Sequence, residues 1–345
     1  MRPFLAPIPS RPITRGSVPT FSIIIAAYQA AGFIGTAVES ALAQTLAPLE
    51  VIVCDDGSTD DLDDALALYR DRLVLVRQEN RGEGAAKNAA ARMASGDFIA
   101  MLDADDVYLP NRLEALGELA SARPDLDILV TDAFIESEGR VVRRAYDESW
   151  TFEVDDQRCA ILERCFILGH AAVRRERFFA VGGFDDAMRT VADWDLWIRI
   201  ILGGSRAGLI PEPLARYRVR EGSLSTDTGA MLEGRIHCLE RALERDDLSA
   251  DERITARSSL TERGYELRLF EAREALLTGS PGVRRRLLTI ALGRGFGLRT
   301  RLKAALSAIF PSRAGAAIAR RESAAWVGAA GVRVEREEPV SDRAD

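Results

Sequence analysis

Residues Gly96–Asp106 read GDFIAMLDADD, an apolar run from Phe98 to Leu102 that leads straight into Asp103, Asp105 and Asp106. Carboxylates at the end of a buried strand are costly unless they are paired, neutralised or bound to a cation. Oxygen ligands on a short turn suit a hard divalent ion, Mg²⁺ or Mn²⁺, shared with a phosphate. The plainer alternative is a solvated loop capping the next helix, with Asp106 facing Asn111 and Arg112. Asp103, Asp105 and Asp106 are thus candidates for metal ligands.

Two further stretches carry similar chemistry. Leu49–Cys54 is apolar and ends in Asp55-Asp56-Gly57-Ser58-Thr59-Asp60-Asp61. Asn80-Arg81-Gly82-Glu83-Gly84 precedes an alanine-rich run that contains Lys87. Glycines before a helix let backbone come close to a ligand at the helix N-terminus, and Arg81 and Lys87 add charge that suits phosphate. The pattern is neither a Walker loop nor GxGxxG. Downstream, Asp193 falls in the first turn of a helix-patterned segment, 192–200, where the helix dipole favours an acid. Gly182-Gly183 before Phe184 marks a tight turn with close packing. His170 lies just ahead of these segments. His237 reads as a packed or surface residue, and two histidines are too few for a histidine-built metal site.

These residues need a frame that delivers them to one place. Phe21–Tyr28 predicts a central strand, 31–46 a helix ended by Pro48, and 49–54 a second strand. A short helix over 61–70 and a strand over 73–76 follow. Helices over 85–94 and 111–122 bracket the strand at 98–102, and 126–130 is again a strand. Alternating strands and helices at this spacing imply a largely parallel sheet with right-handed crossovers. Ligands of such sheets bind beyond the carboxyl ends of the strands. Tyr28, Asp55, Asp56, Asp103 and Asp105 all fall there. Glu138-Gly139-Arg140 predicts a hairpin turn, and 211–219 a late strand. The reading gives no assignment for 143–160.

Taken together, the segments 22–30, 55–61, 80–88, 96–106, 182–186, 192–200 and Tyr217-Arg218 resemble those of family 2 glycosyltransferases, in that order and over roughly 20–225. The resemblance implies an α/β GT-A fold, with a Rossmann-like, mostly parallel sheet followed by a C-terminal helical module. It implies an inverting, metal-dependent transfer of a sugar from a nucleotide-diphosphate donor, a UDP-sugar in the first instance. The acceptor would be a hydroxyl of a glycan or lipid-linked sugar. Ala26 and Tyr28 would meet the base, and Asp56 its polar edge or the ribose. Arg81 would approach the diphosphate and Lys87 the base or the diphosphate, Lys87 standing where the family more often has Arg. Asp105 would bind the Mn²⁺ or Mg²⁺, with Asp103 reaching the ribose or the metal. Asp193 would be the base, with Ala192 where the family often has Glu. His170, Gly183 and Trp194 would line the acceptor side.

The chain has 345 residues, is 47% apolar and 29% charged, and carries a net charge of −7. Those values predict a globular protein and disfavour one that binds nucleic acid over its whole surface. Its four cysteines form no CxxC pair, so neither a zinc ribbon nor a disulfide framework is expected. The absence of a secretory pattern and of a spanning apolar stretch predicts a cytoplasmic protein. The expected layout is a proline-rich extended lead-in over 1–19, a catalytic domain over 20–226, a helical module over 227–331 and a disordered tail over 332–345. In the module, Ser249-Ala250-Asp251-Glu252 predicts a capping box, and Gly279-Ser280-Pro281 a helix break. Arg284–Lys303 is basic and amphipathic, which raises peripheral contact with the inner face of a membrane against plain packing on the catalytic domain. Two other functions compete. A nucleotidyltransferase shares the acid-tipped sheet but usually has a Gly-rich run after the first strand, where this chain has Ala27-Tyr28-Gln29-Ala30. A sugar-nucleotide-binding protein without turnover would not need Asp193.

Overall fold

The computed structural model describes residues 18–148, 150–220, 227–322, 325–327 and 333–335. Most of the expected lead-in and of the expected disordered tail lies outside them. The β-branched run at the start forms β1 (Phe21–Ala27), buried along nearly its whole length. Next comes α1 (Ile34–Leu42), which buries Ile34, Ala37, Val38 and Ala41 at helical spacing. The helix ends four residues before the expected boundary. Gln44 leaves it to bond the Leu109 carbonyl and the Leu113 amide, and the Thr45 amide bonds the Pro110 carbonyl. Tertiary hydrogen bonds, not Pro48, terminate it.

The chain continues through β2 (Glu50–Asp55), α2 (Leu62–Leu66), a 3₁₀ turn, β3 (Val74–Arg77), α3 (Glu83–Met93), β4 (Phe98–Met101), β5 (Val107–Tyr108) and α4 (Arg112–Ala122). Then come β6 (Ile128–Ser137), β7 (Arg140–Arg144), α5 (Gln157–Glu163), β8 (Ala172–Arg174), α6 (Arg175–Ala180), α7 (Ala192–Leu202) and β9 (Ala207–Val219). The β6–β7 turn has positive φ at Glu138 and Gly139, as a tight hairpin requires.

The main sheet runs β3-β2-β1-β4-β8-β6-β9-β5, with β7 on β6. Its first four strands are parallel. β8 is antiparallel to both β4 and β6, and β6 is again parallel to β9. The expected parallel sheet is therefore present on one side, and the antiparallel β8 joins it to a longer β6–β9 pair. Bulges at Thr131/Asp132 and Asp132/Phe134 bend that pair. Buried Asp132 sits in the bend and accepts from the amides of Ala133 and Tyr146 and from Arg144. A charge in the core is tolerated there because its oxygens are satisfied.

Helices follow: α8 (Thr228–Leu243), α9 (Ala250–Thr278), α10 (Val283–Leu292), α11 (Leu298–Ile309) and α12 (Pro311–Glu322). The capping box is present: the Ser249 amide bonds the Glu252 carboxylate at 2.9 Å and the Glu252 amide the Ser249 hydroxyl at 3.2 Å. β10 (Ala325–Val327), in the stretch expected to be helical, pairs antiparallel with β11 (Arg333–Glu335), in the stretch expected to be disordered. The chain divides into two compact units. One comprises residues up to Val219 together with Cys238–Arg257, so that part of the helical region belongs with the sheet; the other comprises Arg220–His237 and Ser258 onward.

Candidate functional site

The parallel strands bring their carboxyl ends to one edge. Ala27 lies beside Asp55 in the ladder, and Ile24 beside Met101, so Tyr28, Asp56 and Asp103 leave the sheet close together. Ala26 is half-buried on β1. Tyr28 is 54% exposed, which leaves its ring open to a flat ligand. Asp56 is buried and fully engaged. One carboxylate oxygen accepts from the Gln78 side chain at 2.7 Å and the Arg81 amide at 2.9 Å, and the other from the Gly82 amide at 2.8 Å. It ties the turn ahead of α3 to the end of β2. Gly57, at φ 80°, lies so close to the Asn80 amide that a Cβ would collide with it.

Lys87 projects from the first turns of α3 and is almost fully buried. Its ammonium lies 2.7 Å from Asp103 and 2.5 Å from Glu83. Burial alone would lower its pKa, but the two carboxylates outweigh that and hold it well above the usual lysine value. Reciprocally, burial would raise the Asp103 carboxyl, while Lys87 and His170 bring it below its ordinary range. The Arg81 guanidinium instead bonds Asp186 at 2.8 Å.

The third acid of the turn does not face Asn111 and Arg112 as a helix-capping loop would. Asp106 is buried, with one oxygen 2.5 Å from His170 Nε2 and the other accepting the Arg218 amide at 2.8 Å. Burial pushes its carboxyl up to about 6, against the opposing pull of His170. Arg112 is buried as well; it bonds the His170 carbonyl at 2.7 Å and the Thr131 hydroxyl. The apolar spacing of α4 gave no sign of this, because an arginine on a helix reads as exposed.

Asp193 sits in the first turn of α7. The residue before the helix, Val191, has φ 49°, a left-handed conformation that is strained for a β-branched side chain. Asp193 is half-buried and accepts the Trp194 amide at 2.8 Å. A Cβ placed on Gly169 would lie 3.6 Å from its carboxylate, so the segment that carries His170 passes alongside. Burial raises the Asp193 carboxyl above the ordinary aspartate value; Lys87 opposes this and Asp103 adds to it. Lys87, Asp103 and Asp193, from three separate segments, therefore act on one another.

His170, Gly183 and Trp194, expected to line the acceptor side, are all buried. Trp194 is buried and donates its indole N–H to the Ile161 carbonyl at 2.7 Å. His170 is buried against Asp106, with its ring edge-on to Tyr217. Gly183, at φ 74°, packs against Phe178 and Asn88. Asn88 in turn bonds the Phe184 amide and carbonyl and the Asp186 carboxylate. Arg241 of α8 pairs with Asp185 and lies 3.5 Å from Asp195, which Arg199 also holds. The glycine-rich turn is thus locked onto α3 and α7 together.

Metal-ligating atoms converge among the described residues at Asp103, Asp106 and His170, all within 4.8 Å of one another. Asp105, one of the two expected ligands, is half-buried and is not among these three. Carboxylate oxygens suit Mg²⁺ or Mn²⁺, and Asp103 offers one oxygen to Lys87. The donor set fits a divalent ion.

The chain is similar in sequence and in fold to known glycosyltransferases. The sequence model of glycosyl transferase family 2 matches residues 22–182. Chondroitin synthase of Escherichia coli is 33% identical over 190 residues, covering 53% of this chain and 26% of that protein. The succinoglycan biosynthesis protein ExoO of Rhizobium meliloti is 32% identical over 225 residues, covering 60% and 63%. The chain thus spans less than two thirds of either relative. Among solved structures, S. aureus TarS 1-349 in complex with UDP-GlcNAc superposes with a TM-score of 0.62 at 18% identity, covering 84% of this chain and 91% of that one. The mannosyltransferase PcManGT of Pyrobaculum calidifontis, in complex with GDP-Man and Mn2+, gives 0.58 at 20% identity, covering 86% and 89%. The fold is that of the GT-A transferases.

Proposed function

We propose that this chain, whose residues 22–182 form a family 2 glycosyltransferase domain, is an inverting, metal-dependent hexosyl- or N-acetylhexosaminyl-transferase. The observation that carries the reading is the Lys87–Asp103 pair at the sheet edge, with the Asp193 carboxyl of α7 within electrostatic reach of both. Sugar transfer needs positive charge where the diphosphate leaves and a base where the acceptor hydroxyl attacks. A divalent ion bound by Asp105 and Asp103 would supply Lewis-acid charge against the departing diphosphate. Asp193, on a separate helix, accepts the acceptor's proton as the acceptor oxygen bonds the anomeric carbon and the bond to the diphosphate breaks. With base and leaving group on opposite faces of the sugar, the anomeric configuration would invert. Tyr28 and Ala26 floor the base pocket, with Asp56 beneath.

The donor is a nucleotide-diphosphate sugar, taken first as a UDP-sugar; of the structural neighbours, TarS binds UDP-GlcNAc and PcManGT binds GDP-Man. The names of the sequence relatives, a chondroitin synthase and a succinoglycan biosynthesis protein, favour a polysaccharide acceptor. The test is release of nucleotide from a panel of UDP-, GDP- and dTDP-sugars with Mn²⁺ or Mg²⁺, with and without extracts containing glycan or lipid-linked acceptors. Asp193→Asn and Asp105→Asn should each lower turnover by about 10²–10⁴-fold with the melting temperature retained. Full activity in both variants would overturn the assignment. Donor binding without release under any acceptor condition would favour a binding protein.

A further inference from the structure

The second compact unit is built with its apolar residues in an unusual arrangement. On α11 the buried residues are small, Ala304 and Ala308. The large ones face out: Leu298, Leu302, Leu306 and Ile309 are 69%, 56%, 64% and 59% exposed, and Phe310 follows them. α10 buries Leu287 and Ile290 but leaves Leu292 76% exposed, with Leu288 one turn before it. A helix that only packed on its neighbours would place leucine inward and alanine outward. Isolated exposed leucines are ordinary, but a run at helical spacing on a folded helix is not.

The charges carried along α10 and α11 have one sign, with Glu271 of α9 3.8 Å from Arg286 as an acid beside them. From Ala275 to Arg321 there is no aspartate or glutamate, while ten arginines and lysines fall in the same stretch of a chain whose net charge is −7. Arg284 and Arg285 precede Leu288 by one helical turn, and Arg299 and Lys303 stand one position after Leu298 and Leu302. We propose that the outward faces of α10 and α11 form a docking surface for an anionic phospholipid bilayer. Leucine, isoleucine and phenylalanine would enter the boundary between headgroups and acyl chains, with arginine and lysine at the phosphates. No described helix is long and apolar enough to cross a membrane, so the contact is at the surface. A second copy of the chain is the less suitable occupant, since a symmetric contact would set the same acid-free cationic stretch against itself. This surface is independent of the transfer reaction, and its test involves no sugar.

The experiment is flotation of the full chain with vesicles of phosphatidylcholine alone or with 30 mol% phosphatidylglycerol, paired with sedimentation velocity in the absence of lipid. We expect at least tenfold tighter partition onto the anionic vesicles, weakened at 0.5 M salt. The double variant Leu302→Ser/Leu306→Ser should lose at least tenfold on anionic vesicles. Arg299→Glu/Lys303→Glu should remove the preference for them. All four residues are exposed, so melting temperature and circular dichroism should match the parent. A folded parent that does not float with anionic vesicles, or variants that float as well as it does, would overturn the proposal. Lipid-free self-association abolished by Leu302→Ser/Leu306→Ser, with no vesicle binding, would also overturn it and make the face an interface between copies.

Discussion

Asp193 combines two properties that pull against each other. As the proposed base it must be ionised, yet its burial and the nearby Asp103 favour the protonated form more than Lys87 opposes it. A folded-state pKa above the unfolded one means that the carboxyl contributes most to stability below the ordinary aspartate pKa. That contribution is lost as pH rises through the raised value. At neutral pH the ionised side chain therefore costs stability, and Asp193→Asn should leave the melting temperature unchanged or higher while turnover collapses. The rate should rise with pH as Asp193 deprotonates, on a limb displaced upward from that of an ordinary aspartate. A bound diphosphate would push it the same way. A pH profile of turnover at saturating donor checks this, and a limb at or below the ordinary value would count against Asp193 as the base. At this scale the sequence shows residue types well and pairings poorly. The acids at strand ends were legible because charge after an apolar run has few explanations. The Asp106–His170 contact was not, because 64 residues separate the partners and neither belongs to a local pattern. Arg81 was read as a phosphate ligand from its place in the turn, and only the fold reveals Asp186 beside it.

Among the elements, strands and helices of the parallel half were visible through their periodicity, with ends off by a few residues. Those ends are set by hydrogen bonds such as that of Gln44 to Leu109, which no local window contains. The antiparallel β8 is three residues long, too short for alternation to register. The turn Gly182–Asp186 was legible as tight, but not as a lock between α3 and α7. It leads to a sharp expectation. Gly183 has φ 74°, and an added Cβ would lie 3.1 Å from the Phe178 ring and collide with Asn88. Gly183→Ala should cost about 2–3 kcal/mol of stability, read by chemical denaturation. Because Asn88 and Phe184 neighbour Lys87, it should also weaken donor binding. Gly182→Ala provides the control: its φ of 86° is strained too, but no atom lies in the way of its Cβ. It should cost less and leave donor binding unchanged.

For the whole molecule, the order of acid-tipped segments was enough to anticipate the GT-A sheet. The division into units was less legible, because Cys238–Arg257 is helical like the module yet clusters with the sheet. Its ties include Arg158 with Glu252 and Arg241 with Asp185, contacts over long sequence separations. One global property follows from Lys87. With its ammonium between Asp103 and Glu83, the acid cluster has an internal counter-charge and the fold does not depend on a divalent ion. Chelator should therefore abolish transfer while the melting temperature changes little. A large loss of stability on chelation would mean that the ion, not Lys87, neutralises these acids.

The engagement of Asp56 has a kinetic and entropic counterpart. Its carboxylate already gathers Gln78 and the amides of Arg81 and Gly82, so the floor beneath the proposed base pocket is assembled before a nucleotide arrives. A pocket built in advance leaves little backbone freedom to be lost on binding. The amides of Arg81 and Gly82 should then exchange slowly with solvent deuterium in the ligand-free protein and be slowed little further by UDP. Asp56→Ala should release both amides to fast exchange and turn a rigid receptor into one that must order itself around each donor it meets.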